Sequence, residues 1–489
     1  MRSVSELKIQ GLKNSAWNFL NTLINQLRNF IVTLVLARIL TPTDFGLVSM
    51  AMVLNTILDT FADFGFSNAI IRKSKITEVE TSTIFWINIS VGGLCTLLVF
   101  LCSPIFAWFY GVPQLQSIVS VTSFSFFISS FGTLQTALFQ RSLNFRKPFY
   151  AKLVSGLMSG VLGILLALSE FGVWALIISN LLGWILYVVL IWFMASWRPQ
   201  FIFRLDAVSD MFSFGWKMTL STVINRIVRQ LDTFIIGKLY SASTLGLFNR
   251  AQSLNNLVIE YSFSSIRNVL LPSLSKLQND SEALKYSVLK LLHTISFLTF
   301  LFSGLMYVCA EDLIIFLYGK QWEGAIEIFK ILGLFSISLC LPIVFDTVLT
   351  VVNRMTIYLW QSILRNLIVL LAIPIGLYYG FKGYIWAISI AGILKIIPSL
   401  FTTQTSIGLS LYEQLKSICN YALPFISILI LWEYIYIDTH IYILNIVLKG
   451  GLFVFLYIVL NLLLKNSGIQ TCKSLLLKSL KKININPKK

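Results

Sequence analysis

Long apolar stretches alternate along this chain with short polar connections. Segments such as Thr83 to Phe109 and Phe171 to Trp197 are apolar on every side, and no Asp, Glu, Lys or Arg falls between Glu80 and Arg141. One hydrocarbon crossing takes roughly 20 apolar residues, so that run alone predicts two helical spans. Strands of a transmembrane barrel would instead alternate polar and apolar positions over short segments. Hydropathy and polar punctuation together predict fourteen spans, at roughly 14–40, 46–70, 84–109, 115–139, 149–168, 172–194, 212–240, 246–270, 289–317, 326–352, 357–379, 383–404, 417–433 and 441–464. The expected class is an all-α polytopic membrane protein.

Composition agrees, since 489 residues that are 56% hydrophobic and 12% charged, with a mean hydropathy of +0.80, exclude a water-soluble globule. A net charge of +17 carried by 38 basic residues raises the question of nucleic acid, and their location answers it. With alternate loops on alternate sides, the side holding the N-terminus collects 24 lysines and arginines against Lys320 and Lys382 opposite. Cytoplasmic loops retain positive charge, so both termini are expected in the cytoplasm of an inner-membrane protein, and the basic surplus is topology charge rather than a nucleic-acid surface. The lysine-rich tail from Lys473 to Lys489 is expected against anionic headgroups. Arg2, Glu6 and Lys8 precede the first apolar segment without a small-residue cleavage site, so that helix is expected to be retained. Six cysteines without CxxC spacing and only two histidines predict neither disulfides nor a metal site. The absence of a GxxxxGK[ST] loop argues against ATP hydrolysis, and the aromatic content needs no cofactor.

The chain also repeats itself at an offset of 200. Arg38 to Leu47 runs parallel to Lys238 to Leu247, Thr22 and Asn25 match Thr222 and Asn225, and Ala51 and Asn55 match Ala251 and Asn255. Six spans separate the copies, an even number, so both enter the membrane in the same direction, and the last two spans lie outside the repeat. The expected organisation is an N-lobe at 1–200, a C-lobe at 201–410, and two accessory helices with a basic tail at 411–489. Gly46 and Gly246 follow the outer turns of the two copies and are expected to allow tight turns there.

Polar stripes mark the first two helices of each copy. Asn14, Asn18, Asn21, Asn25 and Arg28 are spaced to share one helical face, and Ser49, Thr56, Asp59 and Asp63 form a second stripe. Their counterparts are Thr222, Arg226, Arg229 and Thr233, with Asp232 adjacent, and then Asn249, Ser253, Asn256, Glu260 and Arg267. Charges at membrane depth cost at least ~2.5 kcal/mol each, so they face protein or a watery cavity. Arg229 with Asp232 has the spacing of an internal ion pair, whereas Arg28, Arg226 and Arg365 have no partner at i±3 or i±4. Unpaired guanidinium in a cavity implies an anionic ligand. The expected cavity cations are therefore Arg28, Arg226 and Arg365, with Arg229 added by its position on the same stripe as Arg226. Asn25, Asp59, Asp63, Asn225, Asp232 and Glu260 are the polar or ion-coupling candidates, and no catalytic or metal-binding residue is expected.

These residues resemble a known family. Ala37 to Ala51 is similar to the signature of bacterial polysaccharide-export flippases of the multidrug/oligosaccharidyl-lipid/polysaccharide exporter superfamily. Five further patches fall where that family's patches recur: Phe64 to Ser67 with Ala69; Phe139 to Arg141 with Phe145; Asp232 to Gly237; Gly246 to Phe248 with Arg250 and Ala251; and Tyr318 to Lys320 with Trp322. The resemblance implies two six-helix lobes around a central cavity lined chiefly by the first two helices of each lobe. It implies transport of undecaprenyl-diphosphate-linked oligosaccharide repeat units, used in lipopolysaccharide or related polysaccharide biosynthesis, from the cytoplasmic to the periplasmic leaflet. Membrane lipids and the polysaccharide polymerase machinery are the implied partners, with H+ or Na+ as possible coupling ions. Two other functions compete. A drug antiporter of the same fold is kept open by acids at membrane depth. A membrane glycosyltransferase or O-antigen polymerase would need substantial charged outer loops, which here are about ten residues long and nearly uncharged.

Overall fold

The computed structural model describes residues 23–63, 65–73, 75–466 and 468, and every regular element among them is helical. Asn14, Asn18, Asn21 and the basic tail lie outside the described residues, as do the side chains of Asp63, Asn225 and Glu260. Two compact units emerge, Met1–Gly246 and Leu247–Lys489.

The first unit contains α1 (23–39), α2 (Pro42–Asp63), α3 (Phe66–Arg72), α4 (Glu78–Tyr110), α5 (Gln114–Arg141), α6 (Arg146–Leu168), α7 (Val173–Met194), α8 (Ser209–Leu239) and the start of α9 (Ala242–Ser275). Local chemistry sets these boundaries. Thr77 and Glu80 close a capping box at the start of α4, reinforced by an Lys73–Glu80 ion pair of 2.5 Å, and Gly111 ends that helix in a left-handed conformation. Gly65, also left-handed, separates α2 from α3 inside one expected span. α4 packs on α5, α6 on α7, and α2 on both α5 and α8. Phe66, Ile70, Ile84, Phe85, Leu134 and Met211 form a buried cluster among these helices.

The second unit holds the rest of α9, then α10 (Ser281–Val308), α11 (Ala310–Tyr318), α12 (Ala325–Leu334), α13 (Ile337–Val351), α14 (Met355–Tyr378), α15 (Gly380–Leu394), α16 (Ile396–Ile407), α17 (Leu411–Trp432) and α18 (Tyr442–Leu463). α10 is its hub, touching α12, α13, α17 and α18. Gly304 on α10 leaves room for the fully buried Phe453 of α18. A buried ion pair clamps the last helix: Lys449 Nζ lies 2.5 Å from Asp312 of α11, and Asn445 donates to the same carboxylate at 2.9 Å. Asp312 is 3% exposed.

Within the described residues, each expected span overlaps one helix or two in succession. Ten spans among the described residues are long and apolar enough to cross a membrane.

The two copies of the repeat begin alike. Thr41 Oγ1 caps α2 by accepting from the Asp44 amide at 3.3 Å, and Ser241 Oγ caps α9 by accepting from the Thr244 amide at 3.1 Å. One turn further on, Gly46 packs against Ala242 while Gly246 packs against Pro42. Because residue 42 corresponds to 242 and 46 to 246, the contact is reciprocal across the repeat. The expectation of tight turns at these glycines is therefore corrected. Both are helical with ordinary φ, and they serve close approach of two backbones; the left-handed glycines are Gly65, Gly111, Gly172, Gly319, Gly380 and Gly408.

Candidate functional site

A polar cavity of about 670 Å3 lies within the first unit, walled by α1, α2, α5, α6 and α7. Arg28 enters it from α1. Its Nη1 donates to the Lys152 carbonyl of α6, and its Nε and Nη2 donate to Asn29 Oδ1 at 3.2 and 2.6 Å. Gly156 makes this reach possible, since any side chain there would overlap the guanidinium. The Lys152 side chain lines the same cavity and feels the charge of Arg28, so two cations share one polar space. Among the described residues, Asp59 of α2 is the one carboxylate in the lining.

α5 supplies the opposite wall. Ser129, Thr133, Thr136 and Gln140 are spaced by four, three and four residues and so occupy one helical face. α7 adds Asn180, Trp184 and Tyr187, with the two rings edge to face at 6.3 Å. Small residues let these helices approach closely: Gly183 faces Ser159, and Gly132 faces Val188.

The other expected site residues divide between the units. In the first unit Asn25 is buried, and Arg226 of α8 donates from Nη1 to the Thr56 carbonyl of α2 at 2.5 Å, within electrostatic reach of Asp59. Arg229 is exposed on α8, and Asp232 is partly exposed one turn later. Arg365 requires a correction. It is not an unpaired cation, because Asp346 of α13 grips it with two contacts of 2.9 and 3.2 Å. Gln361 donates to the same carboxylate at 3.2 Å and to Ser399 Oγ at 3.0 Å, extending the network to α16. Only neighbours on the same helix are visible at i±3 and i±4, and this partner comes from another helix of the second unit.

Sequence reading missed Lys152, which it counted only among the 24 basic residues on the side of the N-terminus, and the hydroxyl face of α5, which it took as an apolar span. The spacing of Ser129, Thr133, Thr136 and Gln140 was the available signal.

The profile of the family described as polysaccharide biosynthesis protein matches residues 35–327, more than half of the chain. The chain belongs to the polysaccharide biosynthesis protein family. This family member is 26% identical over 460 residues to the lipopolysaccharide biosynthesis protein WzxC of Escherichia coli (strain K12), covering 92% of this chain and 90% of the relative. Its fold resembles that of the lipid II flippase MurJ in an inward closed conformation, with a TM-score of 0.69 at 17% identity, covering 91% of this chain and 98% of that one. It also resembles an inward-facing multidrug resistance MATE family transporter of the MOP superfamily, with a TM-score of 0.63 at 14% identity over 78% of this chain and 94% of the other. This family member is thus a multi-pass membrane protein whose fold resembles that of these transporters.

Proposed function

We propose that this chain moves an undecaprenyl-diphosphate-linked oligosaccharide from the cytoplasmic to the periplasmic leaflet of a bacterial inner membrane. Family membership and the transporter fold support the reading. The observation that carries it is the cavity in which Arg28 and Lys152 share the lining with one carboxylate among the described residues, Asp59. A diphosphate leaving the headgroup region needs compensating positive charge, and guanidinium offers phosphate two parallel donors. In this reading Arg226 and Arg229 extend the cationic path, and Asn25, Asn225, Asp59, Asp63, Asp232 and Glu260 serve as polar or ion-coupling groups. Arg365 holds Asp346 instead. Lobes 1–200 and 201–410, with accessory helices in 411–489 and both termini cytoplasmic, rock to give access from each side in turn.

The test is genetic and chemical. A deletion strain should accumulate lipid-linked oligosaccharide in the inner leaflet. Wild-type protein and the exposed-site control Arg354→Ala should restore export, and Arg28→Ala or Lys152→Ala should not at matched membrane abundance. An unchanged distribution of lipid-linked sugar on deletion would refute the function.

A further inference from the structure

We infer that the cavity of the first unit is a carbohydrate subsite, taking a sugar that carries a negative charge. The inference rests on the proposed transport of a lipid-linked saccharide and adds which residues select the sugar.

The argument turns on which way the cavity's hydroxyls point their protons. Thr133 Oγ1 donates to the Ser129 carbonyl at 3.1 Å, Thr136 Oγ1 to the Gly132 carbonyl at 2.8 Å, and Ser159 Oγ to the Gly156 carbonyl at 3.3 Å. Each proton is consumed by its own helix, so each oxygen presents lone pairs to the cavity. The same logic extends to Tyr187. With the Thr136 proton committed, the 2.9 Å contact must be donated by the Tyr187 hydroxyl, whose oxygen then also faces the cavity as an acceptor. The wall formed by α5, α6 and α7 is therefore rich in acceptors.

A bare phosphate has no use for such a wall, because lone pairs would face lone pairs. A sugar does, because every ring hydroxyl is a donor. Donors are supplied elsewhere in the same lining. Gln140 and Asn180 carry amides that make no hydrogen bond to another described residue, and Arg28 and Lys152 supply positive charge. Trp184, 38% exposed, offers an aromatic face on which the C–H side of a pyranose can rest. The volume of about 670 Å3 falls within the ~300–1,000 Å3 typical of small-molecule sites.

Two sources could provide an anionic sugar: a phosphate-linked hexose, as at the head of a lipid-linked saccharide, or a uronic acid within the repeat unit. Full-length protein in nanodiscs, followed by tryptophan fluorescence, separates them. The probes are glucose 1-phosphate, glucuronic acid, glucose and inorganic phosphate, and a Trp184→Phe protein identifies the responding ring. The inference expects one of the anionic sugars to bind more tightly than both glucose and inorganic phosphate, with the signal lost in Trp184→Phe. Thr133→Val and Asn180→Ala should each weaken that sugar by roughly tenfold while leaving phosphate unchanged, the size of one lost hydrogen bond. Preference for glucose 1-phosphate assigns the phosphate-linked sugar, and preference for glucuronic acid assigns the repeat unit. Equal binding of phosphate and sugar phosphate, no response to any sugar, or indifference to Thr133→Val and Asn180→Ala would overturn the subsite and leave a hydrated cavity. Those results would not touch the export phenotype of the deletion strain, so subsite and transport fail separately.

Discussion

The reciprocal glycine contact gives the sharpest test of the fold. A methyl group built on Gly46 would sit 1.7 Å from the Ala242 carbonyl oxygen, and one built on Gly246 would sit 1.9 Å from the Pro42 carbonyl oxygen. The opposing atoms are backbone and cannot rotate away. Ordinary carbon–oxygen contact needs about 3.4 Å, so either alanine must push the two helix starts apart by about 1.5 Å or more, at an overpacking cost of ~1–3 kcal/mol. Separation also forfeits the close Cα–H to carbonyl contacts, worth ~0.5–1 kcal/mol each. Both substitutions demand the same opening, so once one has been accommodated the second should cost little. Gly46→Ala and Gly246→Ala should each destabilise by roughly 2 kcal/mol, and the double variant by little more, giving a coupling of ~1–2 kcal/mol. Denaturing-detergent titration of the purified protein measures the cycle. Gly111→Ala is the contrasting control: nothing approaches its side-chain position, and only its positive φ opposes a side chain, so its ~1–2 kcal/mol should add fully to either. Strict additivity of the two glycine variants, or no loss from either, would refute the shared contact.

Three further outcomes follow from the second unit. Asp312→Asn leaves Lys449 buried without its anion and should cost ~3–5 kcal/mol, whereas Asp312→Leu with Lys449→Met should recover most of it in the same titration. Arg365→Met should cost about 2 kcal/mol, less than a fully buried pair because the Asp346 side chain is 30% exposed, and Asp346→Asn should restore abundance in that background. The Asp438 carboxylate accepts from the His440 amide at 3.1 Å and from Asn445 at 3.3 Å, which together hold its pKa below the ordinary aspartate value. A depressed folded-state pKa means that the stabilisation is present above the unfolded value of ~3.9 and lost as pH falls through the folded one. The protection factor of the His440 amide should decline over that acid range, and Asp438→Asn should abolish the decline.

Much of the fold was legible because membrane helices report themselves locally. The 3.6-residue period and the charge-free runs are properties of a few turns of chain. The polar stripe through Asn25 and Arg28 was legible for the same reason, and it led to a cavity. What escaped was pairing between helices. Arg365 looked unpaired because its partner lies 19 residues earlier on α13, and Lys152 looked like one more basic residue on the side of the N-terminus because nothing local says that Arg28 reaches α6 beside it. Gly46 and Gly246 were recognised as special for the wrong reason. A glycine retained for a turn and one retained for close approach read alike in a single sequence, and only φ and the facing atom distinguish them.

The Asp312–Lys449 clamp bears on how the chain is assembled in the bilayer. Lys449 lies about 10 Å into α18 at 1.5 Å per residue, deep enough to oppose that helix's partition into lipid on its own. Its neutralising acid is synthesised 137 residues earlier. α18 therefore enters the membrane most favourably once α11 is in place to receive the ammonium. Insertion of α18 becomes a checkpoint on the helices made before it, and a chain lacking Asp312 should stall there, exposed to membrane proteolysis, before any question of transport arises.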